Sequence, residues 1–180
     1  MGYFGHMWEL YTFWGFVPFI LGLYAEKNNL SLNIPLLSFL VIASGCISCI
    51  GGGFLSLKFG SARIATTALF ISGICCFISP FIYDLPLVFF LGILVIWGLA
   101  VIPDSPQFST LVATYAPEDL KGTALTIYNS IGFSISTISL IIIDRVFYSK
   151  GFFGQENTFL LLGIGALAGL PSMIRLIRSN

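Results

Sequence analysis

The sequence predicts an all-α membrane protein with six spanning helices, and three observations lead there. Hydrophobic residues fill 57% of the 180 positions and charged residues only 9%, against about 25% charged in an average soluble domain. Mean hydropathy is +0.96. The apolar residues also fall into six runs, each near the roughly 20 residues a helix needs to cross the hydrocarbon core, separated by short polar or Pro/Gly-marked connections. Eight basic and eight acidic side chains cancel, leaving no basic surface for nucleic acid. Membrane lipid is the expected surrounding.

The first run covers residues 3–25 and ends in Glu26-Lys27-Asn28-Asn29. No Lys or Arg precedes it, so it reads as a retained helix rather than a secretory signal. The second covers 33–53, with Pro35 in its first turn, where a missing N–H is tolerated. A compact connection with Lys58, Gly60 and Arg63 leads to the third, 62–82. The turn Tyr83-Asp84-Leu85-Pro86 opens the fourth, 87–115, which stops before Pro117. Glu118 and Asp119 sit in the first turn of the fifth, 119–143, where negative charge suits the helix dipole. The sixth covers 157–177. All six belong to one transmembrane domain, residues 1–180. With the amino terminus in the cytoplasm, that side holds Lys58, Arg63, Lys121, Arg175 and Arg178, and the other holds Lys27, Arg145 and Lys150. Five against three favours both termini inside.

One stretch breaks the apolar pattern. Ile102-Pro103-Asp104-Ser105-Pro106-Gln107-Phe108 sets a carboxylate between two prolines inside the run from Leu87 to Ala113. An ionised Asp near the centre of a spanning helix costs about 2.5–3.5 kcal/mol, so Asp104 is expected to face a bundle interior, a partner or a wet cavity. Each proline removes a backbone N–H and leaves carbonyls free to bind an ion, water or solute. The alternative is a proline kink whose Asp pairs with a neighbouring helix.

The first helix carries a second unusual cluster, Tyr3, His6, Trp8, Glu9, Tyr11 and Trp14. His6 and Glu9 stand three apart, share a face and are candidates for a pair that takes up and releases a proton. At the start of a span the same residues also suit interfacial anchors. Small residues recur at four-residue spacing as Gly45, Cys49 and Gly53, as Thr126, Ser130 and Ser134, and as Gly165 with Gly169, a pattern that lets helix backbones approach closely in lipid. Asn129 adds an amide beside the second of these rows, either lining a water path or bonding across helices. The four cysteines, Cys46, Cys49, Cys75 and Cys76, lie in apolar runs and read as packing residues, because no histidine or second pair completes a zinc site. No serine–histidine–acid order, phosphate loop or metal cluster appears, so neither an enzyme nor a cofactor is expected.

The segment Gly51-Gly52-Gly53-Phe54-Leu55-Ser56-Leu57-Lys58-Phe59-Gly60-Ser61-Ala62-Arg63 resembles the cytoplasmic signature loop of the major facilitator superfamily. Gly53, Leu55, Lys58, Gly60 and Arg63 match its order. Leu57 holds the acid's place, and Ser61 and Ala62 hold positions often basic, so the resemblance implies a tight turn without part of the gate latch. The opening Gly5-His6-Met7-Trp8-Glu9-Leu10-Tyr11 and the runs Asp104-Ser105-Pro106-Gln107-Phe108-Ser109, Gly122-Thr123-Ala124-Leu125-Thr126 and Gly132-Phe133 are similar to helices seven, ten and eleven of bacterial members loosely grouped with nitrate, nitrite and cyanate porters. Arg63, Arg145, Arg175 and Arg178 all fall near span ends, so no intramembrane arginine pair for such an anion is present.

The resemblance implies the carboxyl-terminal half of a twelve-helix fold, built as two inverted three-helix repeats in the bacterial inner membrane, with solute held between two halves. A separate amino-terminal half or a second copy of this chain is the implied partner, since Asp104, Gln107 and Asn129 need company in lipid. The expected function is secondary active transport of a small polar or anionic solute, as symport or antiport. Asp104, with His6 and Glu9, carries a coupling proton, Gln107 and Asn129 bond the solute, and aromatic residues shape the cavity. The competing expectation is a truncated, non-transporting subunit or scaffold that packs against another membrane protein.

Overall fold

The computed structural model describes residues 1–149 and 154–179; Lys150, counted above among the non-cytoplasmic basic residues, lies outside them. Among the described residues the regular elements are all helical: α1 Gly2–Lys27, α2 Ile34–Phe59, α3 Ser61–Ile78, α4 Leu87–Ala100, α5 Asp104–Tyr115, α6 Lys121–Tyr148, the single turn α7 Gly154–Asn157, and α8 Gly163–Ser179. Among the described residues, five segments are long and apolar enough to cross a membrane, Ile34–Phe59, Ser61–Asp84, Leu87–Tyr115, Glu118–Tyr148 and Gly154–Arg178; α1, expected as the first of six spans, is not one of them.

The 26-residue α1 would reach about 39 Å at 1.5 Å per residue. It is the central helix, packed on α6 and α8 and touching α2 and α5. Phe13, Val17, Ile20 and Leu21 on it are fully buried. This is a correction to the interfacial-anchor alternative, for Tyr3, His6 and Glu9 are buried too. A helix enclosed by protein can carry polar groups that a lipid-facing one cannot. By contrast, α2 buries only Ser38, Val41, Gly45 and Gly52.

Glycines fix the crossings. A Cβ on Gly5 or on Gly165 would overlap the other's backbone carbonyl, and one on Gly169 would come within 3.2 Å of Gly2, so α1 and α8 touch backbone to backbone. On α2 the contact seam is Gly45 against Ile102 and Gly52 against Pro103, whereas Gly53 meets nothing within 4 Å. The seam therefore follows a two-turn spacing and not the expected Gly45–Cys49–Gly53 row. On α6, Thr126 and Ser134 bond back to Gly122 and Ser130 of their own helix, and Ser130 is exposed with them. The face of α6 that meets α1 holds Gly132, Ser136 and Ser139.

Element ends differ from expectation where no breaker acts. The helix α2 runs on through Phe59, so most of the 51–63 connection is helical. Only Gly60, at φ 84° and ψ 144°, makes the turn, a backbone region that a Cβ disfavours. Lys58 lies over the Phe59 ring at 5.4 Å, and Arg63 is exposed in the first turn of α3. Glu118 and Asp119 form a separate 3-10 turn ahead of α6, with Lys121 Nζ 3.3 Å from Glu118. At the opposite end, Lys27 bridges Asp84 at 2.7 Å and Glu156 at 3.2 Å.

Replacing Gly5 with Val is expected to destabilise the fold by about 1–3 kcal/mol or more, through overpacking. Gly53→Ala, into open space, is expected to be neutral or stabilising, since Ala exceeds Gly in helix propensity by about 0.8–1.0 kcal/mol. Thermal unfolding in detergent distinguishes them, and equal midpoints for the two variants would contradict the backbone crossing.

Candidate solute and proton site

Fourth-span residues fold as two half-helices because Pro103 cannot donate the hydrogen bond that a continuous helix would send to Leu99. The chain leaves helix over residues 101–103 and re-enters at Asp104. Ile102 and Pro103 lie in the notches left by Gly45 and Gly52, so the break is seated against α2. Pro106 is a milder element than its sequence suggests. It falls in the first turn of α5, where its missing N–H has no helical partner to lose, and Ser105 N already donates to Ile102 O at 3.1 Å.

The break delivers Asp104 into the interior at the first turn of α5. Asp104 and His6 are each 1% exposed. His6 Nδ1 lies 3.0 Å from Asp104 Oδ1, and His6 Nε2 lies 2.7 Å from the Ser105 hydroxyl. One imidazole from α1 thus bridges two consecutive side chains of α5. The Nδ1–Oδ1 contact is close without hydrogen-bond alignment, so both Asp104 oxygens lack a hydrogen-bond donor among the described residues.

His6 and Glu9 do not form a pair, which corrects the expectation from their spacing. Three residues of helix separate them by about 60° around the axis, enough to send each to different neighbours. Glu9 is fully buried and accepts from Trp97 Nε1 at 2.6 Å, from the Ser72 hydroxyl at 2.9 Å and from the Cys76 thiol at 3.3 Å. It ties α1 to α3 and α4 and has no cationic side chain among those partners.

Around His6 the surroundings are aromatic and polar. Tyr3 stacks on Tyr128 with ring centroids 3.5 Å apart, in space that a side chain at Gly132 would occupy. Its hydroxyl donates to Asn129 Oδ1 at 3.1 Å. Phe108 lies 5.9 Å from the His6 ring and 6.0 Å from that of Tyr3. Gln107 is 3% exposed, while Asn129 is exposed on α6. The Tyr128 hydroxyl is buried without a hydrogen-bond partner, as the Asp104 oxygens are. Of the signature positions, Lys58, Gly60 and Arg63 lie at the α2–α3 turn and Gly53 about two turns earlier in α2.

Chemically, the cluster can hold a proton in more than one place. Neutral imidazole presents one donor and one acceptor, and the protonated ring presents two donors. A change of tautomer or charge on His6 therefore changes which of its nitrogens can donate, to the Ser105 side or to the Asp104 side. Sequence reasoning missed Ser105, Trp97, Ser72 and Cys76 as partners. Trp97 alone left a trace: a single indole N–H within an aliphatic run needs an acceptor when buried.

A bundle of long apolar helices around a buried, helix-break carboxylate is the architecture of an integral membrane protein. A profile of the Major Facilitator Superfamily matches residues 3–140, and the chain belongs to that family. It is 29% identical over 137 residues to the probable galactarate/D-glucarate transporter of Escherichia coli K12, and to that of Escherichia coli O157:H7. Each alignment covers 72% of this chain and 30% of the relative, so the chain spans about 30% of the length of these curated relatives. No solved structure matches it significantly.

Trp97→Phe removes the shortest hydrogen bond to Glu9 and is expected to cost about 1–3 kcal/mol, because it leaves a buried acceptor under-satisfied. Trp8→Phe removes a bond to the Leu161 carbonyl and should cost about 0.5–1.5 kcal/mol. Unfolding titrations in mixed micelles measure both, and a smaller loss for Trp97→Phe would remove Glu9 from its place as the inner tie.

Proposed function

We propose that this chain is one six-helix half of a secondary active transporter for a small hydroxylated organic acid, coupled to protons. The observation that carries the reading is the His6 bridge between Asp104 and Ser105. It sets a titratable ring between a buried carboxylate and a hydroxyl at a break in a spanning segment. Serine, histidine and acid in close sequence also characterise nucleophilic enzymes; here His6 is hydrogen-bonded to Ser105 but only in contact with Asp104, and membership in a transporter family favours proton transfer over hydrolysis. Asp104 and His6 hold the coupling proton, Glu9 stands behind them, and Gln107 and Asn129 bond the solute. The solute class is drawn from the galactarate/D-glucarate relatives, and Asp104 Oδ2 and the Tyr128 hydroxyl, which lack a hydrogen bond among the described residues, suit a ligand rich in hydroxyl groups.

The three-helix repeats are α1–α3 and α4–α8, related by inversion. Exchange of neighbours supports this: α1 packs on α6 as α4 does on α2, α1 on α8 as α5 on α3, and α3 meets α8 between them. A second six-helix half, in the same chain or another, or a second copy, covers the exposed polar stripe of Thr126, Asn129, Ser130 and Ser134 on α6. Both termini lie in the cytoplasm of an inner membrane, as the excess of basic residues on that side favours.

Asp104→Asn in the full transporter, reconstituted in proteoliposomes, is expected to lower uptake of labelled glucarate driven by a pH gradient by at least about tenfold, as loss of a general proton carrier does. Solute exchange at equal pH should persist. Uptake that kept its pH dependence in this variant would refute the role of Asp104, and gradient-insensitive retention of any solute would favour a scaffold.

A further inference from the structure

We propose a binding site for an anionic phospholipid at the end of the molecule where α2 turns into α3, independent of the transport reading and resting only on insertion in a membrane. Between α2, α3 and α4 runs an apolar groove of about 320 Å³, lined by Gly51, Gly52 and Leu55 on α2, Ile64 and Ile71 on α3, and Ile96 on α4. Leu55 and Ile96 are each 50% exposed, so the groove is open at the surface of the bundle. Glycine at 51 gives it depth, since a Cβ there meets nothing within 4 Å.

The groove has a basic end. Lys58 is one turn beyond Leu55 on α2, and Arg63 directly precedes Ile64 on α3. Both are exposed, and neither forms an ion pair among the described residues. Lys27 and Lys121, in contrast, have carboxylate partners. The reason lies in sequence: the position at which the signature carries an acid is Leu57, here 84% exposed, so no side-chain carboxylate among the described residues pairs with the turn. Beside it, a more polar recess of about 420 Å³ is lined by Lys58, Gly60, Arg63, Leu111 and Ile177. An acyl chain along the glycine groove and a phosphodiester between Lys58 and Arg63 satisfy both halves at once, and each basic residue near a membrane surface favours anionic lipid by about fivefold.

The test is photocrosslinking of the full protein in phosphatidylcholine vesicles doped with phosphatidylglycerol carrying an acyl-chain diazirine. Label is expected in the peptides containing Leu55 and Ile64, competed by unlabelled phosphatidylglycerol and not by phosphatidylcholine. Lys58→Gln with Arg63→Gln should reduce it on the order of 25-fold, with an unchanged unfolding temperature. Gly51→Phe, or Gly51→Leu should the larger ring impair folding, should reduce label from both lipid types by filling the groove. Equal competition by phosphatidylcholine, undiminished label in the Lys58/Arg63 double variant, or competition by soluble glycerol phosphate as strong as that by the lipid would each overturn the site.

Discussion

Hydrocarbon gives a polar side chain nothing to bond with, and α1 carries a row of them from one end to the other. Tyr3 reaches Asn129, His6 reaches Asp104 and Ser105, Trp8 reaches Leu161, Glu9 reaches Trp97, Ser72 and Cys76, Thr12 reaches Ser139, and Tyr24 reaches Leu85. Together these contacts lead to α3, α4, α5, α6 and the turns before α4 and α8. Satisfying them all forces α1 into the middle and draws the other helices around it. Large apolar side chains then fill the remaining space, with Phe13 stacked on Trp97 and Tyr24 on Phe90. The polar spine sets the arrangement, and dispersion contacts tighten it.

Within that arrangement the interrupted fourth segment has a defined seat. Its two halves stay in register because α2 offers glycine at the two levels where Ile102 and Pro103 protrude. A larger residue at either level would push the break outward and carry Asp104 away from His6. Small residues on one helix therefore decide the electrostatic neighbourhood of an acid on another. The same logic operates at the far side of α1, where Gly132 admits the Tyr3 ring and so positions its hydroxyl at Asn129.

The outer helices answer to different surroundings. Most of α2 and much of α6 face outward, with Phe39, Ile47 and Phe54 on one and Ile131, Ile138 and Ile141 on the other well exposed. On α6 these apolar residues alternate with hydroxyls that turn back to their own helix. Such back-bonded hydroxyls tolerate lipid and remain available to a polar neighbour. That face thus suits both lipid and a second protein surface, which agrees with a chain that spans about 30% of its curated relatives.

Helical class and membrane setting were determined by the sequence alone, because hydropathy over some twenty residues is a local property. The interruption at residues 101–103 was equally legible, since Pro103 lacks a donor whatever surrounds it. The length of α2 beyond Gly53 was not, because no residue before Gly60 imposes a backbone that ends a helix. Only the tertiary structure decided that His6 serves Asp104 while Glu9, three residues on, serves Trp97 and Ser72. Partners a hundred positions apart are chosen by which helices cross, and those crossings depend on backbone contacts such as Gly5 with Gly165. Spacing along one helix shows which side chains share a face, and packing shows what that face meets.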